Sequence, residues 1–250
     1  MTRTLAFQLF VAWQFLHVIP HAPAEDAPIQ PFTKYGNDVA VIFPDTKSAD
    51  GRFAVGWTLK ATKGAASVDW PSWGTVNPRT WLDRYKWSPN DPVAPYRLEN
   101  CVVDLMGEAI LPLPSDWPEW PNKNRGYIAA AWGDEHDGRR FGLVQNDSRF
   151  YTHNLWLVRI ASNRMRQTDI SGRLSKAVRR FLRLAKGKKF EQFGVFFPVA
   201  NSEAGGRARF ARSLVDIPFL ANVPKSGPDI EGVISVSLPD AKILQISRKP

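Results

Sequence analysis

The feature that most constrains this chain is the brevity of its apolar runs, which turn residues interrupt every few positions. Proline (20 residues) and glycine (17 residues) supply many of the interruptions, and long helical patterns are scarce. Short apolar runs between turn residues are typical of β-strands, so the sequence predicts a mainly β fold that is α+β only at its margin. The predicted strands are Asp38–Phe43, Phe53–Leu59, Leu98–Leu105, Ala109–Leu113, Tyr127–Trp132, Phe141–Gln145, Leu155–Ile160, Gln192–Pro198, Arg212–Ile217, Gly232–Leu238 and Ile243–Ile246.

Four dipeptides between successive runs carry turn chemistry. They are Asp50-Gly51, Met106-Gly107, Asp137-Gly138 and Pro239-Asp240. Glycine and aspartate adopt the backbone angles that tight reversals require, so we expect hairpin turns at these places. Hairpins join neighbouring strands antiparallel, and the predicted sheets are therefore antiparallel.

One segment, Arg173–Lys189, has a helical period instead. Its apolar residues recur three and four positions apart, which places them on one face of an amphipathic helix. We expect Leu174, Val178 and Phe181 to pack on a sheet, Asp169 or Ser171 to cap the start, and Gly187 to end the helix.

This segment carries eight cations and no acid, and most of the cations lie on the opposite face of the helix. The whole chain has a formal charge of +9, so this segment accounts for nearly all of it and is the predicted anion-binding surface. The alternative is a solvated outer face on a helix that covers the core. The candidate anion-binding residues are Arg173, Lys176, Arg179, Arg180, Arg183, Lys186, Lys188 and Lys189.

The amino terminus resembles a secretory signal. A cation at Arg3, an apolar run from Leu5 to Ile19 and an Ala22-Pro23-Ala24 site predict cleavage after Ala24 and a periplasmic or secreted protein. The alternative is an uncleaved anchor, for which the run is shorter than the ~20 residues of a spanning helix. Residues 25–34 are expected to form an extended leader before a single β-rich domain over residues 35–250.

Tryptophans concentrate in two proline-rich stretches. Rigid loops that present indoles stack on sugar rings, whereas indoles that fold back extend the hydrophobic core. The six candidates for ligand stacking are Trp70, Trp73, Trp81, Trp87, Trp117 and Trp120.

Two stretches resemble single blades of bacterial β-propellers. Asp50–Trp57 is similar to the Asp-Gly-x-apolar opening of such blades, and Cys101–Pro114 is similar to their Val-Val-Asp-Leu-x-Gly hairpin; Ile128–Trp132 with Phe150–Ile160 is a third match. The order is also similar to that of secreted bacterial proteins that pair such strands with a later helix. The resemblance implies propeller-like hairpins over residues 35–160, followed by the basic helix and further strands over residues 161–250. It implies no catalytic residues.

Enzymatic motifs are scarce. Cys101 is the single cysteine and lies in an apolar run, so it reads as a buried thiol. Asp134–Gly138 packs three carboxylates and His136 into one turn, which suits a solvated hairpin tip better than a metal site. Apart from His136, His153 is the one histidine after the signal. We predict no metal and no cofactor.

The sequence therefore predicts a non-enzymatic protein that binds an anionic ligand at the cell envelope or outside it. The partner would be an anionic glycan, a lipid headgroup or another polyanion. A first alternative is a glycan-active hydrolase whose carboxylates, with Asp83, Asp104 and Asp116 as candidates, lie near the Trp-rich loops. A second is an assembly component that binds a protein partner.

Overall fold

The computed structural model describes residues 32–35, 38–70, 81–86, 93–113, 127–148, 151–162, 164–183, 194–200, 207–221 and 230–249. These residues form a mainly β protein with three antiparallel sheets. The first sheet has the order β1 (Phe32–Tyr35), β2 (Asp38–Ile42), β3 (Phe53–Ala61), β4 (Tyr96–Asp104) and β5 (Ala109–Pro112). The second has the order β6 (Tyr127–Trp132), β7 (Arg139–Ser148), β8 (Tyr151–Ala161) and β9 (Arg164–Asp169).

The third sheet and one helix complete the fold. Helix α1 (Ser171–Phe181) follows the second sheet directly. The third sheet consists of β10 (Val195–Phe196), β11 (Arg209–Phe210), β12 (Leu214–Ala221), β13 (Ile230–Ser237) and β14 (Ile243–Arg248). Its order is β10-β12-β13-β14, and β11 also pairs with β12.

Every predicted strand overlaps an observed one, and the predicted antiparallel hairpins are confirmed. The turn glycines Gly51 and Gly138 have φ angles of 73° and 67°, in the left-handed region that favours glycine. No sheet among the described residues is closed, so the predicted propeller character is not confirmed. β1 begins within the segment expected to be an extended leader and pairs with β2.

The second sheet is the middle layer. One of its faces packs on the first sheet, where Val144, Trp156 and Val158 contact Phe53 and Val55. Its other face packs on α1 and the third sheet, in a second cluster whose buried members include Leu143, Leu155, Leu157, Ile170, Leu174, Val178, Phe197, Val215, Ile217, Phe219 and Ile234. Alternate residues of β8 serve opposite clusters, as the twofold repeat of a strand requires.

Buried polar groups join the second and third sheets. The Gln145 side-chain amide donates to Thr152 Oγ1 at 3.0 Å, and the same hydroxyl accepts the Phe197 backbone N–H at 3.0 Å. Gln145 Oε1 accepts the Val199 N–H at 3.3 Å. Because each group has a partner, this polar network fixes the position of β8 against β10 with little desolvation cost.

Candidate anion-binding site

Helix α1 is shorter than the sequence predicted. It ends at Phe181, and Arg183, with a φ angle of 53°, takes the left-handed position that we had assigned to Gly187. Gly187, Lys186, Lys188 and Lys189 lie outside the described residues.

The remaining predicted cations lie on the helix as expected. Arg173, Lys176, Arg180 and Arg183 are exposed, and Arg179 is half-buried. Leu174 and Val178 are fully buried, which confirms the predicted core face. Phe181 is 42% exposed, so its predicted place in the core is wrong. Phe181 is the last residue of the helix and lies at the edge of its buried face, where the chain leaves the sheet.

Asp169 anchors the start of the helix. The N-cap residue is Ile170, which makes no side-chain cap bond. Instead, Asp169 Oδ1 accepts the Ser171 N–H at 2.9 Å and the Ser171 hydroxyl at 2.7 Å, and Asp169 Oδ2 accepts the Asn154 side-chain amide at 3.0 Å. Asp169 therefore satisfies a first-turn donor and ties α1 to β8.

A β-bulge places His153 beside this helix start. Asn146 pairs with Asn154, but the next residue, Asp147, pairs with Thr152, which leaves His153 as the extra residue of β8. Bulges redirect side chains and are common beside functional sites. The His153 carbonyl accepts the Ser171 hydroxyl at 3.3 Å, so the bulge and the first helical turn are joined directly.

An open groove of about 430 Å³ lies between the bulge and the helix. Residues of β8 and of the first three turns of α1 line it: Thr152, His153, Ser171, Gly172, Ser175, Lys176 and Arg179. A methyl group added at Gly172 would meet nothing within 4 Å, so the groove reaches the helix backbone there. The groove thus offers hydroxyl, imidazole, ammonium and guanidinium groups to a single ligand.

The electrostatics of the groove favour an anion. No carboxylate lines it, and the oxygens of nearby Asp169 already accept hydrogen bonds from the protein. The amino-terminal end of a helix carries about half a positive charge, but the Asp169 carboxylate already accepts the Ser171 N–H there, so the positive charge of the groove comes from Lys176 and Arg179. The Ser171 hydroxyl already donates to Asp169, so the Ser175 hydroxyl and the Lys176 ammonium are the groups that can donate hydrogen bonds to phosphate, sulfate or carboxylate oxygens.

Sequence reasoning found the cations of this groove but not its shape. His153 was noted only as one of two histidines, and Thr152, Ser171, Gly172 and Ser175 were not assigned to an anion site. The available signal was Asp169-Ile170-Ser171-Gly172, a helix start with small polar residues immediately before the basic stretch.

The described tryptophans of the first Trp-rich stretch belong to a hydrophobic cluster on the first sheet. Trp81 is 2% exposed and donates its indole N–H to the Asp69 carbonyl at 3.1 Å, so it is a core residue and not a ligand-stacking one. Trp70 stacks on Trp81 with ring centroids 4.7 Å apart, and Tyr85 packs on Trp81 at 4.9 Å. One face of Trp70 is therefore occupied. Trp73, Trp87, Trp117 and Trp120 lie outside the described residues.

The candidate carboxylates separate into different environments. Asp104 is 1% exposed and accepts hydrogen bonds from Arg52 at 3.1 Å and from the Gly107 N–H at 2.8 Å, so it stabilises the β4–β5 turn and is not open to a substrate. Asp83 is exposed, and Asp116 lies outside the described residues.

The Asp134–Gly138 turn forms the tip of the β6–β7 hairpin, as predicted, with His136 bridged to Arg139. Glu135 makes an ion pair with Arg52 at 3.0 Å. One of the three carboxylates of this turn therefore points toward the first sheet. Within the described ranges, no three His, Cys, Asp or Glu side chains lie together as a metal ion would need. Cys101 is buried, as expected.

No protein-family model, curated protein or solved structure matches this chain. Among the helices of the described residues, none has the length and apolar character needed to cross a membrane.

Proposed function

We propose that this protein binds an anionic ligand without transforming it, and that one anionic group of the ligand occupies the groove between His153 and the first turns of α1. The observation that carries the proposal is that Lys176 and Arg179 line one groove with the Ser175 hydroxyl, with no carboxylate among the lining residues. A groove of this composition accepts the oxygen atoms of a phosphate, sulfate or carboxylate group.

The exposed cations of α1 extend this site. Arg173, Arg180 and Arg183 are exposed on the same helix, and no ion pair joins them to an acid among the described residues. Each cation near an anionic surface contributes about 1 kcal/mol, an effect that decreases with salt. The groove would hold one group, and the helix surface would attract the rest of a larger ligand.

The signal-like amino terminus supports export, and with export the ligand would belong to the cell envelope or the extracellular space. An anionic glycan and a lipid headgroup both carry the required groups, and the shared chemistry is an exposed oxyanion. Nothing in the groove supplies a placed acid and base pair for hydrolysis, which favours binding over catalysis.

The test is calorimetric titration of the full chain with inorganic pyrophosphate at low and at high salt. Lys176→Gln and Arg179→Gln should each weaken binding about tenfold, because each removes a charged donor from the groove. The matched control is Lys63→Gln/Arg84→Gln, which removes two exposed cations between β3 and β4 and should leave pyrophosphate binding nearly unchanged.

A second arm separates the groove from the helix surface. On a heparin column, the Arg179→Gln/Arg180→Gln/Arg183→Gln variant should elute at much lower salt than the control variant, and its unfolding curve should show that it is folded. Equal elution of the two variants, together with unchanged pyrophosphate binding in Lys176→Gln, would rule out the helix as the binding site.

A further inference from the structure

A second group of arginines lies on the second sheet, away from the helix groove. Arg139 on β7, Arg159 on β8, and Arg164 and Arg166 on β9 belong to different strands. Their register places them together: Arg159 is directly opposite Arg166, and Ala161 is opposite both Arg139 and Arg164.

All four side chains lie on the same face of the sheet. Cross-strand partners share a face, and residues two apart along a strand do too. Leu157, which is two residues before Arg159, packs in the cluster with α1 and the third sheet, so the arginines lie on that face beyond the edge of the cluster. Arg139, Arg164 and Arg166 are exposed and Arg159 is half-buried.

This arginine face is compact. Strands are spaced about 4.8 Å apart and residues of one side repeat about every 7 Å along a strand, so the four Cα atoms span about 10 Å by 7 Å. The small side chain of Ala161 lies at the middle of this surface. Between Arg139 and Arg164 no side chain larger than this methyl group stands on the sheet.

The charge of this surface is not neutralised among the described residues. None of the five ion pairs found there involves any of the four arginines. The neighbouring Arg140 is a useful contrast, because it points to the opposite face and pairs with Asp50 at 2.6 Å. Like charges directly opposite each other destabilise a sheet, so the Arg159–Arg166 pair costs free energy that a bound anion would recover.

A pocket of about 190 Å³ adjoins the arginine face at Phe141, which lies directly opposite Arg159. Arg212 and His136 line it, and Asp134 is the one carboxylate in its lining. The pocket therefore extends the arginine face toward the third sheet, and its lining carries one guanidinium and one carboxylate.

We infer that the arginine face is a second binding surface, and that its ligand is a linear acidic glycan that carries sulfate or carboxylate groups. Guanidinium groups bind such planar or tetrahedral oxyanions through two parallel hydrogen bonds, and several fixed arginines suit a ligand with repeated charges. This inference is independent of the helix groove, which accepts a single anionic group.

Other polyanions fit the arginine face less well. Single-stranded nucleic acid binds through exposed aromatic platforms, and a membrane surface binds through apolar side chains that insert beside the cations. The exposed large apolar side chains of the described residues are Val93, Met106, Phe181 and Leu244, and none belongs to this face.

The test compares the full chain with Arg164→Gln/Arg166→Gln, a double variant in the edge strand. The probes are a heparin octasaccharide, an oligogalacturonate and a single-stranded DNA oligonucleotide of similar charge, each measured over a salt series. The control is again Lys63→Gln/Arg84→Gln, in the connection between β3 and β4 of the first sheet, which packs against the opposite face of the second sheet.

The expected result is that the arginine variant binds one or both acidic glycans at least about tenfold more weakly, with a shallower salt dependence, while the control variant changes little. Pyrophosphate binding in the helix groove should remain in the arginine variant, so the two sites can be judged separately. Glycan binding equal in the two variants would overturn the inference. Tighter binding of DNA than of either glycan through the same arginines would also overturn it.

Discussion

Arg140 and Asp50 form a bidentate ion pair that joins the second sheet to the turn before β3. Arg140 Nη2 lies 2.6 Å from Asp50 Oδ2, and Arg140 Nη1 lies 3.1 Å from Asp50 Oδ1. Arg140 also lies over the Phe53 ring at 5.3 Å, and Arg52 lies over the same ring at 5.0 Å. A core aromatic ring and two charged groups thus meet where the first and second sheets join.

This ion pair predicts an acid-sensitive fold. Partial burial raises the pKa of Asp50, but hydrogen bonds from Ser48 and Arg140 outweigh it and lower that pKa to about 2. An unfolded aspartate titrates near ~3.9. Asp50 therefore adds stability at pH values above about 4, and this contribution is lost as the pH falls from about 4 to about 2.

The measurement is urea unfolding of the full chain at about pH 5 and about pH 2.5, beside Asp50→Asn. The Asp50 side chain is 42% exposed, so solvent screens its ion pair, and the variant should be about 1 kcal/mol less stable at the higher pH and should lose less on acidification. If the two proteins lost equal stability on acidification, the acid sensitivity would not come from Asp50.

Asp104 should contribute more than Glu135 to stability, although both pair with Arg52. Asp104 is buried and accepts hydrogen bonds from Arg52 and from the β4–β5 turn, whereas the Glu135 side chain is 43% exposed. Asp104→Asn should cost about 3 kcal/mol because it leaves a charged partner and turn donors poorly satisfied. Glu135→Gln should cost under about 1 kcal/mol. Chemical denaturation of both variants measures the two losses of stability. A larger loss in Glu135→Gln than in Asp104→Asn would contradict the prediction.

Two glycines predict opposite effects of the same substitution. A Cβ at Gly56 would lie 2.5 Å from the Val41 carbonyl oxygen, a backbone atom of the neighbouring strand that cannot rotate away. Gly56→Ala should therefore destabilise the protein by more than about 2 kcal/mol.

Gly172→Ala is the matched variant, because a methyl group there meets nothing within 4 Å and lies in the first turn of a helix. It should raise stability by up to about 1 kcal/mol through its higher helix propensity. Thermal unfolding of the two variants measures both effects. A loss of stability in Gly172→Ala would contradict the helix geometry described here.

The end of α1 gives a further comparison. Val178 is fully buried and Phe181 is 42% exposed, although both are apolar residues of the same helix. Val178→Asp should cost more than about 4 kcal/mol because it buries a charge. Phe181→Asp should cost about 1 kcal/mol, mainly through an unfavourable charge near the helix carboxyl terminus. Circular dichroism during urea unfolding should show that Phe181→Asp remains folded at urea concentrations at which Val178→Asp is unfolded.

The strands with apolar patterns could be predicted from the sequence, and β9 could not. β9 reads Arg-Met-Arg-Gln-Thr-Asp and is almost entirely exposed or half-buried. It is an edge strand whose pairing with β8 holds it in place, so its own residues carry no strand signal. The arginine face was missed for the same reason, since it exists only once β7, β8 and β9 are in register.

The groove was predictable only in its charge. The basic stretch indicated where an anion would bind, and burial of Leu174 and Val178 followed from the helical period. The bulge at His153 depends on how β7 and β8 pair, which the local sequence does not specify. Phe181 was misplaced because helical spacing does not indicate where a helix leaves the surface that it covers.

In the first and second sheets, each strand bonds only to its neighbours in the chain. A sheet of this kind pairs only consecutive strands, and most of its hairpins close short loops at low entropic cost, although residues 62–95 separate β3 from β4. We therefore expect the first sheet to be able to form while the later part of the chain is still being synthesised. The second sheet would follow, and the third sheet with α1 would cover it last. Until then the apolar side chains of Leu143, Leu155 and Leu157 would be exposed on the nascent chain. This surface is the feature that a chaperone would bind.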